Sequence, residues 1–435
     1  MMRFGWMIIA CFSCMQAAQA VPAIQSSTLD NGLRILLIEA HNVPMVSMQL
    51  SMPAGSRFDS QEKAGTASML ATILTDHTAK HDHQAWDEWL DREALRLGSG
   101  ASKDTLTLSL TTLKESLPVG LDAFSEALLQ PGWDRQRFKL LQEDAMASAI
   151  KSQEEPRTRV GHATSALLYG NHPYGHTSSG TPSSLKQITM QDMQALYRAQ
   201  SKPVGSVLAI SGDITMQEAR ALLQPRLKGW QGKPKVAALS IEKAPVITGQ
   251  SEHVSMPTTQ TLVQFSRLGV TRSSDDFFPL FVMNHLLGGA GFGSKLMQEV
   301  REKRGLVYGV YSYFIPLAAQ GPFVITLQTK ATQADTASQV VREVMQSLAG
   351  GDIDSAHVQA IKANLIGGFA QRMDSNRERV GLMAMIGFYQ MPLDYLQRWT
   401  ERVDSVTVAD VKRMAHIYLQ VKDWNVIQVG PATKK

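Results

Sequence analysis

ITMQDMQALYRAQSKPVGSVLAISGD (188–213) and VTVADVKRMAHIYLQVKDWNVIQVGP (406–431) are two versions of one passage. Thr189 aligns with Thr407, Asp192 with Asp410 and Gly212 with Gly430, all at a single offset. Each copy reads as a Thr-capped helix, a short loop, an apolar strand and a terminal Gly. The same order of elements repeated at one offset points to an internal duplication.

Working outward, TLTLSLTTL (105–113) and FVITLQTK (323–330) are alternating strands. Each is followed by a long amphipathic helix, over 119–129 and 336–349. The first half opens with a hairpin-like pair, GLRILLIEA (32–40) and VSMQLSMPA (46–54). A Gly-, Pro- and Lys-rich stretch over 229–250 separates the halves. The expected architecture is α+β, with an N-terminal domain over 21–230, a linker over 231–250 and a C-terminal domain over 251–435. Each domain carries a mostly antiparallel sheet packed with helices. A cleft between two such halves is a natural ligand site.

The length of 435 residues suits two to four domains at about 100–200 residues each. The net charge of +4, with both signs interspersed, gives no electrostatic reason to invoke nucleic acid. Residues 1–20 read as a signal peptide: Arg3 is the positive region, 6–15 the apolar core and Ala18-Gln19-Ala20 the cleavage site. The apolar run is too short to span a bilayer. A lipoprotein site is disfavoured, because Cys11 lies early and Cys14 has poor flanks. Both cysteines of the chain fall in this segment, so the mature chain has no disulfide and no Cys-ligated zinc. These features predict an exported, periplasmic protein.

NHLLGGAGFGSKLMQEVREKRGLVYGVYS (284–312) carries the most chemistry. Ser294 reads as an N-cap, Lys303 and Arg304 complement a helix C-terminus, and Gly305 suits the position after it. A strand is expected to follow, with Leu306, Tyr308 and Val310 on one face. The turn would fold Arg301 and Tyr308 towards one another. On spacing alone they read as a solvated helix charge and a half-buried aromatic. The order Gly-Ser-Lys, after a helix rather than a strand, argues against a phosphate loop.

This stretch resembles the C-terminal half of the insulinase-like (pitrilysin-type) metallopeptidase family. LYGNHPYGHTSSGTPSSLKQIT (168–189) and GSRFDSQEKAGTASML (55–70) resemble its N-terminal half. The resemblance spans nearly the whole mature chain. It implies two homologous halves closing as a clamshell around a peptide, zinc held in one half, and an Arg and a Tyr seven residues apart facing it from the other. Arg301 and Tyr308 match that pair, whose implied role is to hydrogen-bond a substrate carbonyl or the developing oxyanion.

The family's His-x-x-Glu-His places two zinc ligands on one helix face beside a general base. The resemblance puts those three positions at Ser68, Ala71 and Thr72, and the downstream ligand near Ser148. Ser and Thr are poor zinc ligands and Ala71 has no carboxylate. Glu143 and Asp144 lie about one helical turn off. His77, His81 and His83 form a separate cluster in TDHTAKHDHQ; His77 and His81 could chelate on a helix, but a polar surface loop is the expectation. His172 reads as a hydrogen-bonded loop histidine.

The resemblance includes heterodimers in which one subunit keeps the zinc helix and the other the Arg–Tyr pair. The leading expectation is a zinc-less subunit with no cofactor of its own. Its partners would be a homologous zinc-bearing subunit and a peptide substrate, with Arg301 and Tyr308 acting in trans. The alternative is a pseudo-peptidase that captures extended peptides at a sheet edge without hydrolysis.

Overall fold

The computed structural model describes residues 21–432, so the expected signal peptide lies outside the described residues. The first sheet contains β1 (Gln25–Thr28), β2 (Arg34–Glu39), β3 (Met45–Met52), β4 (Arg96–Ala101), β5 (Leu106–Leu113) and β6 (Val207–Gly212). The second contains β7 (Ser251–Ser255), β8 (Gln260–Leu268), β9 (Val310–Phe314), β10 (Pro322–Lys330) and β11 (Asn425–Gly430). The strand orders are β1-β2-β6-β3-β5-β4 and β7-β11-β8-β10-β9. Without β1, the two orders are the same. The only parallel pairs among the described residues, β2 with β6 and β7 with β11, also correspond. The duplication read from the sequence is therefore a duplication of topology.

The repeated passage behaves as its residues dictate. Thr189 caps helix Met190–Gln200 and Thr407 caps helix Val408–Tyr418. In both, the Asp three residues on hydrogen-bonds back to the capping residue's amide, so two otherwise unpaired donors are satisfied reciprocally. β6 and β11 then supply one central strand to each sheet.

The hairpin expected from 32–40 and 46–54 does not form. β6 lies between β2 and β3, parallel to one and antiparallel to the other. β2 is buried along Ile35–Ile38, as a strand covered on both faces must be. Proximity in sequence gave no sign of the distant strand that separates the pair.

Helix Ala334–Ala349 shows the logic of the helical layer. Ala337, Val340, Val341, Val344 and Leu348 form one buried stripe at helical spacing against the second sheet's core. Helix Leu117–Leu129 does the same for the first sheet through Leu117, Leu121, Phe124 and Leu128.

One helix on each sheet comes from the other half. Helix Pro156–Tyr169, of the first half, lies on β8 and β11, where Val160 packs with Leu262, Ile427 and Val429. Helix Asn376–Phe388, of the second half, lies on β3 and β6. This reciprocal exchange ties the two halves together and walls the space above each sheet. Among the described residues, no helix is long and apolar enough to cross a membrane.

Candidate functional site

Helix Thr66–Asp76 begins at Gly65, whose φ of 101° marks a sharp change of direction. Asp59 caps it by accepting the Gly65 and Ala67 amides at 3.0 Å each. Burial pushes the Asp59 carboxyl up to about 7, against the stabilising pull of those amides. The helix packs along edge strand β4, where Ser99 donates to the Ala71 carbonyl at 2.6 Å.

This is the helix on which the family resemblance places the zinc ligands. Ser68 is half-buried, Ala71 is buried and Thr72 is exposed, its hydroxyl turned back onto the Ser68 carbonyl at 3.2 Å. Ser148 is exposed on helix Arg135–Ser152. Glu143, one turn away, is exposed beside Lys139. Three hydroxyls and a methyl group do not fit a zinc ion. Among the described residues, no group of three His, Cys, Asp or Glu is placed to hold a metal.

The 76–83 histidines depart from the helical expectation and match the surface-loop expectation only in part. The helix stops at Asp76, so His77 and His81 never share a helix face. The segment is only in part the expected polar surface loop: Asp76, His77 and Thr78 are buried, whereas Ala79, Lys80 and Asp82 are exposed and His81 and His83 half-buried. His77 Nδ1 meets Asp76 at 2.8 Å, and Arg137 grips the same carboxylate through two hydrogen bonds of 2.7 and 2.6 Å. Burial alone would raise the Asp76 carboxyl; the bonds from Arg137 and His77 outweigh it and hold the group well below the usual carboxylate range. His81 meets Glu126 at 2.8 Å and stacks on Trp89. His77 thus braces the end of helix Thr66–Asp76, and His81 ties the loop to the helices that carry Glu126 and Trp89. His172 is likewise structural, set between the Glu242 carbonyl at 3.0 Å and the Tyr174 amide at 3.2 Å.

At the opposite corner, Ser294 takes its expected capping place, bonding the Gln298 amide through its carbonyl at 3.1 Å. The segment Met297–Glu302 winds as a π-helix. Gly305, at φ 62°, ends it by donating to the Arg301 carbonyl at 2.8 Å. The expected strand alternation through Leu306 and Tyr308 is absent, since β9 starts only at Val310. The left-handed turn at Gly305 and an extended run precede pairing with β10.

Arg301 and Tyr308 are held differently. The Arg301 guanidinium lies over the Phe292 ring, 4.6 Å from its centre. Tyr308 is 88% exposed, the most exposed large hydrophobic residue of the described chain. Neither side chain has a hydrogen-bond or ion-pair partner among the described residues. Tyr308 lines a cavity of about 800 Å³ over the second sheet, opposite Arg157 and Thr164 of the exchanged helix. Arg301 is not part of that lining. A counterpart of about 730 Å³ lies over the first sheet, against Asn376 and Arg379 of the other exchanged helix. Ser68, Ala71, Thr72 and Ser148 line neither cavity.

Two neighbours escaped the sequence reading. Tyr311 and Tyr313 on edge strand β9 are exposed and line the same cavity as Tyr308. The Y-x-Y period of 311–313 was their only signal, since alternate residues share a strand face.

Comparisons with known proteins agree with this architecture. Residues 34–181 match the family described as "Insulinase (Peptidase family M16)" and residues 187–365 match "Peptidase M16 inactive domain". The chain is similar to a solved structure from Pseudomonas fluorescens described as a peptidase M16 inactive domain. That match has a TM-score of 0.89 and 29% identity, and covers 95% of this chain and 98% of the other. An "uncharacterized zinc protease" of Mycobacterium leprae is 24% identical over 94% of this chain and 92% of the relative. A Helicobacter pylori relative named a "non-peptidase homolog" is 21% identical over 89% of this chain and 90% of its own length. With both halves matched, the chain belongs to the insulinase-like M16 family as a zinc-less member.

Proposed function

We propose that this chain is the zinc-less subunit of a two-chain peptidase. It would offer Arg301 and Tyr308 to a peptide whose hydrolysis depends on a homologous zinc-bearing partner. The observation that carries this reading is the contrast between the half-sites. The residues that the resemblance aligns with the zinc ligands, Ser68, Ala71, Thr72 and Ser148, offer none, whereas Tyr308 stands almost fully exposed over a peptide-sized cavity with its hydroxyl unengaged.

A phenol and a guanidinium aimed at a scissile carbonyl donate hydrogen bonds to the oxygen as negative charge develops there. The cleft wall orients the chain of the substrate and excludes water. This chain's residues supply no nucleophile and no base in that scheme. The reading also accounts for an exported, periplasmic location, expected from residues 1–20. Co-purification from the native periplasm tests it. A zinc-bearing homologue should accompany the chain, and peptide cleavage should require both.

A second reading is favoured by one observation, the open edge of β9. Among the described residues that strand pairs only with β10, and Tyr311 and Tyr313 stand exposed along it. An extended peptide could add there as a further strand without being cut. Binding with no cleavage in any mixture of chains would select it.

A further inference from the structure

A third cavity, of about 610 Å³, lies away from both sheets' inner faces, at the base of the second half. Arg272 and Arg402 line it, and each guanidinium is set against aromatic rings. Arg272 lies 5.6 Å from the centres of Phe277 and Tyr389. Arg402 lies 5.6 Å from those of Phe278 and Tyr395. Neither has an ion-pair partner among the described residues. The Nε of Arg272 is buried with no hydrogen-bond acceptor among the described residues.

A buried donor without a partner costs stability, so native proteins rarely keep one without a use. The local carboxylates do not meet this need. Asp276 is taken by Arg413 at 2.8 Å, and Asp410 caps its own helix through Thr407. Asp275, also on the rim, is exposed and makes no ion pair among the described residues. Both arginines line the cavity, and neither guanidinium makes a side-chain hydrogen bond or ion pair among the described residues. A guanidinium set among aromatic rings is restrained, and its planar fork suits a carboxylate or phosphate.

We propose that this cavity binds a small oxyanion, a carboxylate or a phosphate group, through Arg272 and Arg402. Tyr389 belongs to the cavity through its ring and to the junction between the halves through its hydroxyl, which bonds Asp104. The site thus adjoins the contact that sets the halves against each other.

The test is calorimetric titration of the full chain with inorganic phosphate and, separately, with succinate, at fixed ionic strength in chloride. Saturable binding of either anion is expected, and the pair of titrations tells phosphate from carboxylate preference. Arg272→Gln and Arg402→Gln should each weaken it tenfold or more, while Arg413→Gln leaves it within threefold. Arg402 is only partly buried, so that variant serves if Arg272→Gln fails to fold, with circular dichroism as the check. No saturable binding of either anion, or unchanged binding in the Arg402 variant, overturns the proposal.

Discussion

The Tyr389 hydroxyl, from the second half, donates to the Asp104 carboxylate of the first at 2.9 Å. Asp104 is fully buried and also accepts the Tyr174 hydroxyl at 2.5 Å and the Ala318 amide at 3.0 Å. Arg57 stands 3.6 Å away and bonds the linker carbonyl of Ala238 at 2.6 Å. One carboxylate thus joins both halves and the linker. Asp104→Ala should destabilise the chain by about 3–5 kcal/mol, because it strands a buried guanidinium and two hydroxyls. Tyr389→Phe, which removes one charge-assisted bond, should cost about 1.5–3 kcal/mol. Urea denaturation midpoints check both, and a Tyr389→Phe variant as unstable as Asp104→Ala would refute this ordering.

The exchanged helix Asn376–Phe388 allows a paired test on one element. A Cβ at Gly387 would lie 2.5 Å from Val207 Cγ1 and 2.8 Å from Leu36 Cδ1, whereas one at Gly381 meets nothing within 4 Å. Gly387→Ala should therefore cost about 1–3 kcal/mol through overpacking against the other half's sheet. Gly381→Ala should gain about 0.5–1 kcal/mol from helix propensity. Opposite signs in thermal unfolding are the expected result.

These two sites show what the sequence could and could not reveal. Thr189 and Thr407 announced their helices because capping is local, and β5 and β10 announced themselves by alternation. Asp104 gave no signal. It is one acid in a short turn, and its partners lie at 174, 318 and 389. The insertion of β6 between β2 and β3 and the helix exchange are likewise decided by distant segments. The residues that the resemblance aligns with zinc ligands, Ser68, Ala71 and Thr72, could be named because one local motif spacing carries them. The buried state of His77 was not legible, since TDHTAKHDHQ is polar enough to read as surface.

Asp59 makes stability depend on pH in an unusual direction. Its folded carboxyl is raised to about 7, so the folded state holds a proton that the unfolded chain, titrating near 4, has already lost. That contribution is full at pH values below about 4 and declines as pH rises towards and beyond 7. Asp59→Asn should flatten this part of the profile. Denaturation midpoints at pH 4.5 and 7.5 should differ less in the variant than in the wild type; an equal difference contradicts the assignment.

Arg137 closes both oxygens of Asp76 and so links helix Arg135–Ser152 to helix Thr66–Asp76. Arg137→Ala should cost about 2–4 kcal/mol, somewhat below a fully buried pair because the guanidinium keeps partial access to water. The histidines beside it are engaged in structure. Zinc added to the full chain and then dialysed should not be retained at one equivalent. Stoichiometric zinc lost in His77→Ala or His81→Ala would show that the loop is a metal site after all.

The most direct test of the central proposal is peptide cleavage by this chain reconstituted with its zinc-bearing homologue. The wild-type mixture should cleave, and neither chain should do so alone. Arg301→Ala and Tyr308→Phe should each lower kcat by about 10²–10³, the loss typical of one oxyanion donor. Complex formation should be unchanged. Cleavage at the wild-type rate by both variants, in complexes of normal stoichiometry, would contradict the account.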